Sequence, residues 1–263
     1  MSECGGQPGC CAPGARFAAV LFDLGGTLLD YGPQTRWAEF RLRRMEELHG
    51  LVCGLAGDLD LSAAELGRRL GEAIQTEEMR ALERSGRALP LAERLRTALA
   101  GVGVEADCRQ VQRLVQVFCQ PIRSWPRPFA ESPQTLARLR ELGARMAIIT
   151  NAPWDSPGRF LHADLERWGL AGHFGAFVSS GDVPWRKPNP QFMWAAAKAL
   201  GVAPEACLVV GDTLAADVAG ARAAGMAALW VNRAGGPAPA DGPQPDWTAA
   251  SLEEVVKVVE GAC

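Results

Sequence analysis

The sequence predicts an α/β fold in which a doubly wound parallel sheet carries a block of helices inserted after its first strand. Two observations lead to this prediction. From about residue 126 onward, short apolar segments of strand length alternate with helical segments. Between residues 34 and 119, by contrast, helical patterns follow one another with no strand between them. Strands that alternate with helices form parallel sheets covered on both faces, whereas consecutive helices can pack on one another as a small bundle.

Five short apolar runs have the character of buried strands. The first covers residues 17–22, and Asp23 followed by Gly25-Gly26 interrupts it. The other four runs cover residues 146–149, 174–178, 207–210 and 226–231. The run at 174–178 is the weakest of them, and together they predict a sheet of the Rossmann-like kind.

Helix signals lie between these strands. Ser132-Pro133 predicts a helix with a serine N-cap and a proline at the first helical position, ending at Gly143. Asn189-Pro190 predicts a second helix, which Gly201 ends. Two further helices are expected over residues 215–224 and 251–260. Residues 232–245, rich in Gly and Pro, predict a loop before the last helix.

The inserted helices are predicted from amphipathic spacing. Ser62 and Glu65 have the spacing of a capping box, which marks the start of one helix. Apolar residues recur on one helix face in three stretches, at Trp37, Phe40, Met45 and Leu48, at Leu66, Leu70, Ala73 and Ile74, and at Val111, Leu114, Val115 and Phe118. We therefore divide the chain into a core of residues 17–30 and 126–263, a helical insertion of residues 31–125 and a disordered tail of residues 1–16.

Composition limits the classes of protein to consider. The chain has 263 residues, of which 48% are hydrophobic and 22% charged, which suits one large domain or a core with a smaller insertion. The formal net charge of -3 gives no reason to expect a nucleic-acid partner. No apolar run approaches the roughly 18 residues of a membrane-spanning helix. Residues 1–16 lack the apolar segment of a signal peptide, so we expect a cytoplasmic protein.

The eight cysteines allow two interpretations. Three of them lie in the tail and five are scattered, and no C-x-x-C pair occurs. A structural metal site needs ligands at short regular spacing. We therefore expect reduced thiols rather than a disulfide framework or a structural zinc site.

Polar residues follow three of the predicted strands at equivalent positions. Asp23, Thr150 and Asp212 each stand at the end of an apolar run. In an open parallel sheet, ligands bind at the carboxyl ends of the strands. We therefore expect these three side chains to converge on one crevice.

Four ordered motifs resemble those of the haloacid dehalogenase-like superfamily. They are Asp23-Leu-Gly-Gly-Thr-Leu28, Thr150-Asn151, Lys187-Pro188-Asn189-Pro190, and Gly211-Asp212-Thr213 with Asp217. The resemblance runs from about residue 17 to residue 232 and includes a helical insertion after the first motif. It implies a phosphatase acting on a small phosphorylated metabolite, with the insertion as a cap over the crevice.

The resemblance also implies a role for each motif residue. Asp23 is the nucleophile, and Mg²⁺ is held by Asp23, the carbonyl of Gly25 and Asp212. The phosphate is bound by Thr150, Asn151 and Lys187. Asp217 holds Lys187 or a metal-bound water in place. Such an oxygen-ligand set suits a hard cation, and phosphoryl transfer requires the neutralisation of a spreading negative charge.

Simpler interpretations stay open for several residues. A single aspartate after a strand is often a turn-former, and Asp217 could be an exposed residue early in a helix. Asn151 could be purely structural. We expect Trp154, Trp185 and Trp194 to be packing residues. We also expect structural roles for His162 and His173, which lack metal-ligand spacing.

The chain departs from the superfamily pattern at Gly25. Phosphatases of this superfamily usually have a second aspartate there, which protonates the leaving group and later activates water. Such positioned groups contribute about 10²- to 10⁴-fold to the rate. Substrates with good leaving groups would tolerate the loss, and water, a residue of the insertion, or Asp30, Tyr31 or Asp155 could fill the gap.

Two alternatives follow from the same departure. Dehalogenases of the superfamily also lack that aspartate, but they attack carbon without a metal and typically lose the metal-binding aspartate of the last motif. The presence of Asp212 and Asp217 argues against that alternative. A catalytically weak protein that only binds phosphorylated ligands or a protein partner is the other alternative. It is disfavoured by the retention of Asp23, Thr150, Lys187 and Asp212.

Overall fold

The computed structural model describes residues 16–32, 34–56, 60–85, 87, 89–119 and 126–261. The expected tail lies outside these residues except for Arg16, whose backbone N–H donates to the carbonyl of Val259. Among the described helices, none is both long and apolar enough to span a membrane. The described cysteines, at positions 53, 108, 119 and 207, are free thiols.

The predicted α/β fold with its parallel sheet is confirmed. Within the described residues, six strands form one sheet in the order β5-β4-β1-β6-β7-β8, with every neighbouring pair parallel. The strands are β1 (Ala19–Phe22), β4 (Arg145–Thr150), β5 (Ala176–Ser179), β6 (Cys207–Gly211), β7 (Ala227–Val231) and β8 (Trp247–Ala249). The weak candidate at 174–178 is therefore a strand, and the edge strand β8 was not predicted.

Helices cover both faces of the sheet. They are α5 (Ser132–Glu141), α6 (Arg159–Arg167), α7 (Pro190–Leu200), α8 (Ala219–Ala223) and α9 (Glu253–Glu260). Side chains of β1 alternate between the two layers, because successive residues of a strand point to opposite faces. Val20 and Phe22 pack in one apolar cluster with α5 and α9, whereas Ala19 and Leu21 pack in another with α7 and α8.

Two helix starts differ from the prediction. Asn189 caps α7 as expected, since its side chain accepts from the N–H of Gln191. The prediction that Ser132 caps α5 is wrong, because Ser132 is already helical and its hydroxyl donates to the carbonyl of Leu28 at 2.9 Å. The helix expected over residues 215–224 begins with a π-helical turn, Leu214–Val218, before α8.

In the part of the inserted segment that the structure describes, four helices share an apolar core of their own. They are α1 (Gln34–Ala56), α2 (Ala63–Ser85), α3 (Leu91–Gly101) and α4 (Cys108–Phe118). Leu48, Leu70, Leu95 and Leu114 are among the buried residues where they meet. A short antiparallel pair, β2 (Leu29–Asp30) and β3 (Arg127–Pro128), joins the chain where it leaves and re-enters the sheet domain.

Only one half of the expected capping box forms at α2. The Ser62 hydroxyl accepts from the N–H of Glu65 at 3.2 Å. The Glu65 carboxylate, however, pairs with Arg68 and Arg69 on the helix surface. Since one serine hydroxyl satisfies one free N–H of the first turn, the helix start is correctly placed although the reciprocal bond is replaced by ion pairs. The expected apolar positions Trp37 and Phe40 lie outside the described side chains.

Candidate active site

The crevice of this fold lies where the strand order reverses. The chain passes from β1 to β4 and β5 on one side, then crosses to β6, β7 and β8 on the other. A cavity of about 410 Å³ opens there, at the carboxyl ends of β1, β4 and β6. Its lining includes six of the seven predicted site residues, namely Asp23, Gly25, Thr150, Asn151, Lys187 and Asp212.

The seventh residue, Asp217, lies directly behind Lys187. The Lys187 ammonium donates to Asp23 Oδ1 and to Asp217 Oδ1, both at 2.6 Å. All three side chains are almost fully buried. The interpretation of Asp217 as an exposed helix residue is therefore wrong, and one lysine holds two carboxylates that lie far apart in the sequence.

Burial and charge act together on this group. Burial raises the pKa of Asp23 to about 7, with Lys187 opposing the shift and Asp217 and Asp212 adding to it. Burial alone would lower the pKa of Lys187, but the charges of Asp23 and Asp217 outweigh it and raise that pKa. Lys187 therefore stays protonated, and its positive charge favours the charged form of Asp23.

Asp212 brings a third carboxylate to the same place. Carboxylate oxygens of Asp23, Asp212 and Asp217 lie within 4.8 Å of one another. Both oxygens of Asp217 are engaged, one by Lys187 and the other by the N–H of Thr213. Asp23 and Asp212 are thus the carboxylates better able to hold a cation. Three carboxylates beside one lysine leave excess negative charge, and an all-oxygen donor set suits Mg²⁺.

Two glycines allow these carboxylates to approach the backbone. Gly26 has a φ of 82°, and a Cβ there would collide with the Asp212 carboxylate. A Cβ on Gly211 would collide with the side chain of Asp217. Trp230 of β7 adds a further constraint, because its indole N–H donates to the carbonyl of Asp212 at 2.8 Å. Close packing therefore fixes Asp212 and Asp217 relative to the loop after Asp23.

Asn151 is bound to the segment that carries Lys187. Its side-chain amide donates to the carbonyl of Lys187 at 3.1 Å, and its side-chain oxygen accepts from the N–H of Lys187 at 2.9 Å. This pair of hydrogen bonds fixes the lysine backbone beside the end of β4. The side chain of Asn151 is thus a positioning group, while the predicted phosphate contacts of Thr150 and of the Asn151 backbone stay predictions.

The three candidates for the missing acid lie in different surroundings. Asp30 lines the crevice, is exposed and accepts from the N–H of Gly32. Asp155 is fully buried and forms an ion pair with Arg94 of α3. Tyr31 lines the crevice, and its hydroxyl donates to Asp164 of α6 at 3.1 Å.

The sequence did not point to α6 or to its contribution. Asp164 is buried, and Leu161 of the same helix lines the crevice. No local pattern links these residues to the first motif, from which they are more than 130 residues distant.

The aromatic and histidine residues singled out in the sequence contact other protein groups. Trp194 donates to the carbonyl of Ala224, and Trp185 packs partly buried in the apolar cluster of α7. His162 lies against the Phe177 ring. His173 packs half-buried after α6. The Trp154 side chain lies outside the described part of the chain.

Comparison with known proteins finds both phosphatases and dehalogenases. A phosphoserine phosphatase of Thermus thermophilus is 35% identical over 167 residues, which cover 63% of this chain and 64% of that protein. The chain thus spans less than two thirds of that relative. A glyceraldehyde 3-phosphate phosphatase of Methanopyrus kandleri is 30% identical over 82% of this chain and 84% of its own length.

A solved structure of a 2-haloacid dehalogenase from Pseudomonas syringae is also similar. It superposes with a TM-score of 0.68 and 26% identity, covering 94% of this chain and 100% of that chain. The model of one family, described as haloacid dehalogenase-like hydrolase, matches residues 17–225. This match includes every residue of the crevice described above, and the chain belongs to the haloacid dehalogenase-like hydrolases.

Proposed function

We propose that this protein is a metal-dependent phosphatase that transfers a phosphoryl group from a small phosphorylated metabolite to Asp23 and then to water. The observation that carries the proposal is the cluster of Asp23, Asp212 and Asp217 around one lysine. A dehalogenase that attacks carbon needs no metal, so Asp212 would have no cation to hold beside its nucleophile. A phosphatase needs them to hold a cation against the phosphate.

The residues of the crevice can perform two displacements at phosphorus. Asp23 Oδ2 is not bonded to Lys187 and attacks the phosphorus, while the bond to the leaving oxygen breaks. Water then attacks the phosphorus of the aspartyl-phosphate, and the bond to Asp23 breaks. Lys187 holds Asp23 in place and neutralises charge as it develops.

The phosphate and cation ligands follow the predicted assignment. The Thr150 hydroxyl and the Asn151 backbone N–H would bind phosphate oxygens, and Asp23, the Gly25 carbonyl and Asp212 would hold Mg²⁺. When bound, Mg²⁺ neutralises charge on the phosphate and on the nucleophile. Asp217 keeps Lys187 directed at Asp23, since the ammonium bonds both carboxylates.

The four inserted helices are proposed to form a cap beside this crevice. Arg94 of α3 reaches Asp155, which follows the crevice residues Asn151 and Pro153 in the loop after β4. A cap attached at this loop is placed to exclude water from the phosphoryl group. A cytoplasmic location, a small-molecule partner and the lack of nucleic-acid and membrane partners stay predictions.

The test is phosphate release from a panel of alkyl, aryl, sugar-1- and acyl phosphates by the wild type, by Asp23→Asn and by Asp212→Asn. We expect release with Mg²⁺ that disappears in excess chelator and in Asp23→Asn, and that is strongly reduced in Asp212→Asn. Asp107→Asn is the matched control, because asparagine also caps a helix and Asp107 caps α4 far along the chain. Halide release from 2-haloacids that persists in chelator would establish the dehalogenase alternative.

A further inference from the structure

Tyr31 stands where a side chain at position 25 would extend. A Cβ added to Gly25 would lie 3.4 Å and 3.5 Å from Cδ2 and Cε2 of the Tyr31 ring. Such distances are ordinary van der Waals contacts, but any longer side chain would be directed at the ring. The position that lacks its usual carboxyl is therefore next to a phenol that lines the same crevice as Asp23.

The Tyr31 hydroxyl joins the crevice to a buried carboxyl. It donates to Asp164 Oδ2 at 3.1 Å, across 133 residues of sequence. Asp164 is 5% exposed, whereas Tyr31 is half-buried. When Asp164 is neutral, its carboxyl can instead donate to the phenol oxygen, and the single Tyr31 O–H can then donate to a molecule in the crevice.

The surroundings of Asp164 suit proton exchange. Burial raises the pKa of the Asp164 carboxyl to about 6, and the Tyr31 hydrogen bond and the Arg167 charge oppose that shift. A group whose pKa lies near the working pH both holds and releases a proton readily.

We propose that Tyr31 and Asp164 together supply the proton donor and acceptor that Gly25 cannot. This inference rests on the proposed phosphatase function. In the first displacement, Tyr31 gives its proton to the departing oxygen and takes the proton of neutral Asp164. The products are an alcohol, an aspartyl-phosphate at Asp23 and an Asp164 carboxylate. In the second, the attacking water gives a proton to Tyr31 as Tyr31 returns one to Asp164, so phosphate leaves and both groups are restored.

The two competing carboxyls are less suited to this role. Asp155 forms a buried ion pair with Arg94. Asp30 does line the crevice, but it is exposed and its Oδ1 accepts from the N–H of Gly32 at 2.7 Å. Tyr31 catalyses directly in this scheme, and Asp164 acts through it as a positioning and proton-storing residue.

The test compares Tyr31→Phe and Asp164→Asn with Asp30→Asn on two Mg²⁺-supported substrates, glycerol phosphate and 4-nitrophenyl phosphate. The parameter kcat/KM covers the steps up to release of the leaving group. The alkoxide of glycerol phosphate needs a proton in order to leave, whereas 4-nitrophenolate leaves without one. We expect kcat/KM for glycerol phosphate to fall about 10²- to 10⁴-fold in the first two variants. We expect kcat/KM for 4-nitrophenyl phosphate to change less than about tenfold, with a burst of 4-nitrophenol before slow turnover.

Three results would overturn the relay. They are an equal fall for both esters, no fall in Tyr31→Phe, and a selective loss in Asp30→Asn. Tyr31→Phe keeps the ring against Gly25, so it decides the question even if Asp164→Asn does not fold. A wild type that releases no phosphate from any ester overturns the proposed function itself, which separates that failure from a failure of the relay.

Discussion

At the scale of single residues, the buried charge of Lys187 is the feature on which the site depends. Its ammonium is 2.6 Å from each of two carboxylates, and all three side chains are almost fully buried. Removing one member of such a buried group leaves the remaining charges without compensation, which is far more harmful than losing a surface ion pair.

Lys187→Met is therefore predicted to lower the free energy of unfolding by about 3–5 kcal/mol and to abolish phosphate release. Asp23 and Asp217 would then face each other without the cation between them. Lys198→Met is the matched control, since Lys198 is exposed on α7, and it should change stability by less than about 0.5 kcal/mol. Denaturant unfolding measures the stability of the two variants, and equal stabilities would contradict the prediction.

Residues at strand ends could be predicted from sequence because strand direction fixes where they meet. Asp23, Thr150 and Asp212 were placed in one crevice by that rule alone, and the structure places all three there. The contact between Tyr31 and Asp164 could not be predicted in this way. It depends on how α6 packs, and neither residue belongs to a pattern that specifies the other.

At the scale of elements, α3 is joined to the sheet domain by a buried ion pair. Arg94 and Asp155 are fully buried and 3.1 Å apart, and the Arg94 Nε also donates to the carbonyl of Leu89. Arg186, the neighbour of Lys187, lies 3.6 Å from the same Asp155 oxygen. The helical unit and the segment that carries Lys187 thus meet at a single carboxylate.

Arg94→Leu is predicted to destabilise the protein by about 3 kcal/mol, at the lower end for a broken buried pair because Arg186 stays close to Asp155. Arg96→Leu on the exposed face of the same helix should cost less than about 0.5 kcal/mol. Backbone amide hydrogens of α3 should exchange faster in Arg94→Leu but not in Arg96→Leu. Unchanged exchange in α3 would show that the pair does not hold the helical unit.

Elements with strong local signals were predictable, and those defined by packing were not. The strands at β1, β4, β6 and β7 are continuous apolar runs, which explains why they were found. The edge strand β8 contains only three residues, and α6 lacks a capping signal. The π-helical turn before α8 also escaped prediction, since it forms where Asp217 bonds Lys187 and the N–H of Thr213.

At the scale of the whole molecule, the order of the strands in the sheet determines how the crevice is assembled. Residues from β1, β4 and β6 meet in one crevice only when the sheet is complete, because the strands lie far apart in the sequence. A cation that binds Asp23 and Asp212 therefore binds the folded chain and not the unfolded one. Such selective binding stabilises the fold by mass action.

Mg²⁺ is accordingly predicted to raise the unfolding temperature of the wild type, and the free energy gain reaches about 2.7 kcal/mol at a hundredfold excess over the dissociation constant. Asp212→Asn should lose this response, because it removes a carboxylate that lies within 4.8 Å of its two neighbours. Asp107→Asn should keep it, since that residue caps α4. Thermal unfolding in Mg²⁺ and in chelator, at equal ionic strength, makes the comparison. An equal shift in Asp212→Asn would place the cation elsewhere on the protein, and no shift in the wild type would contradict a metal site in the crevice.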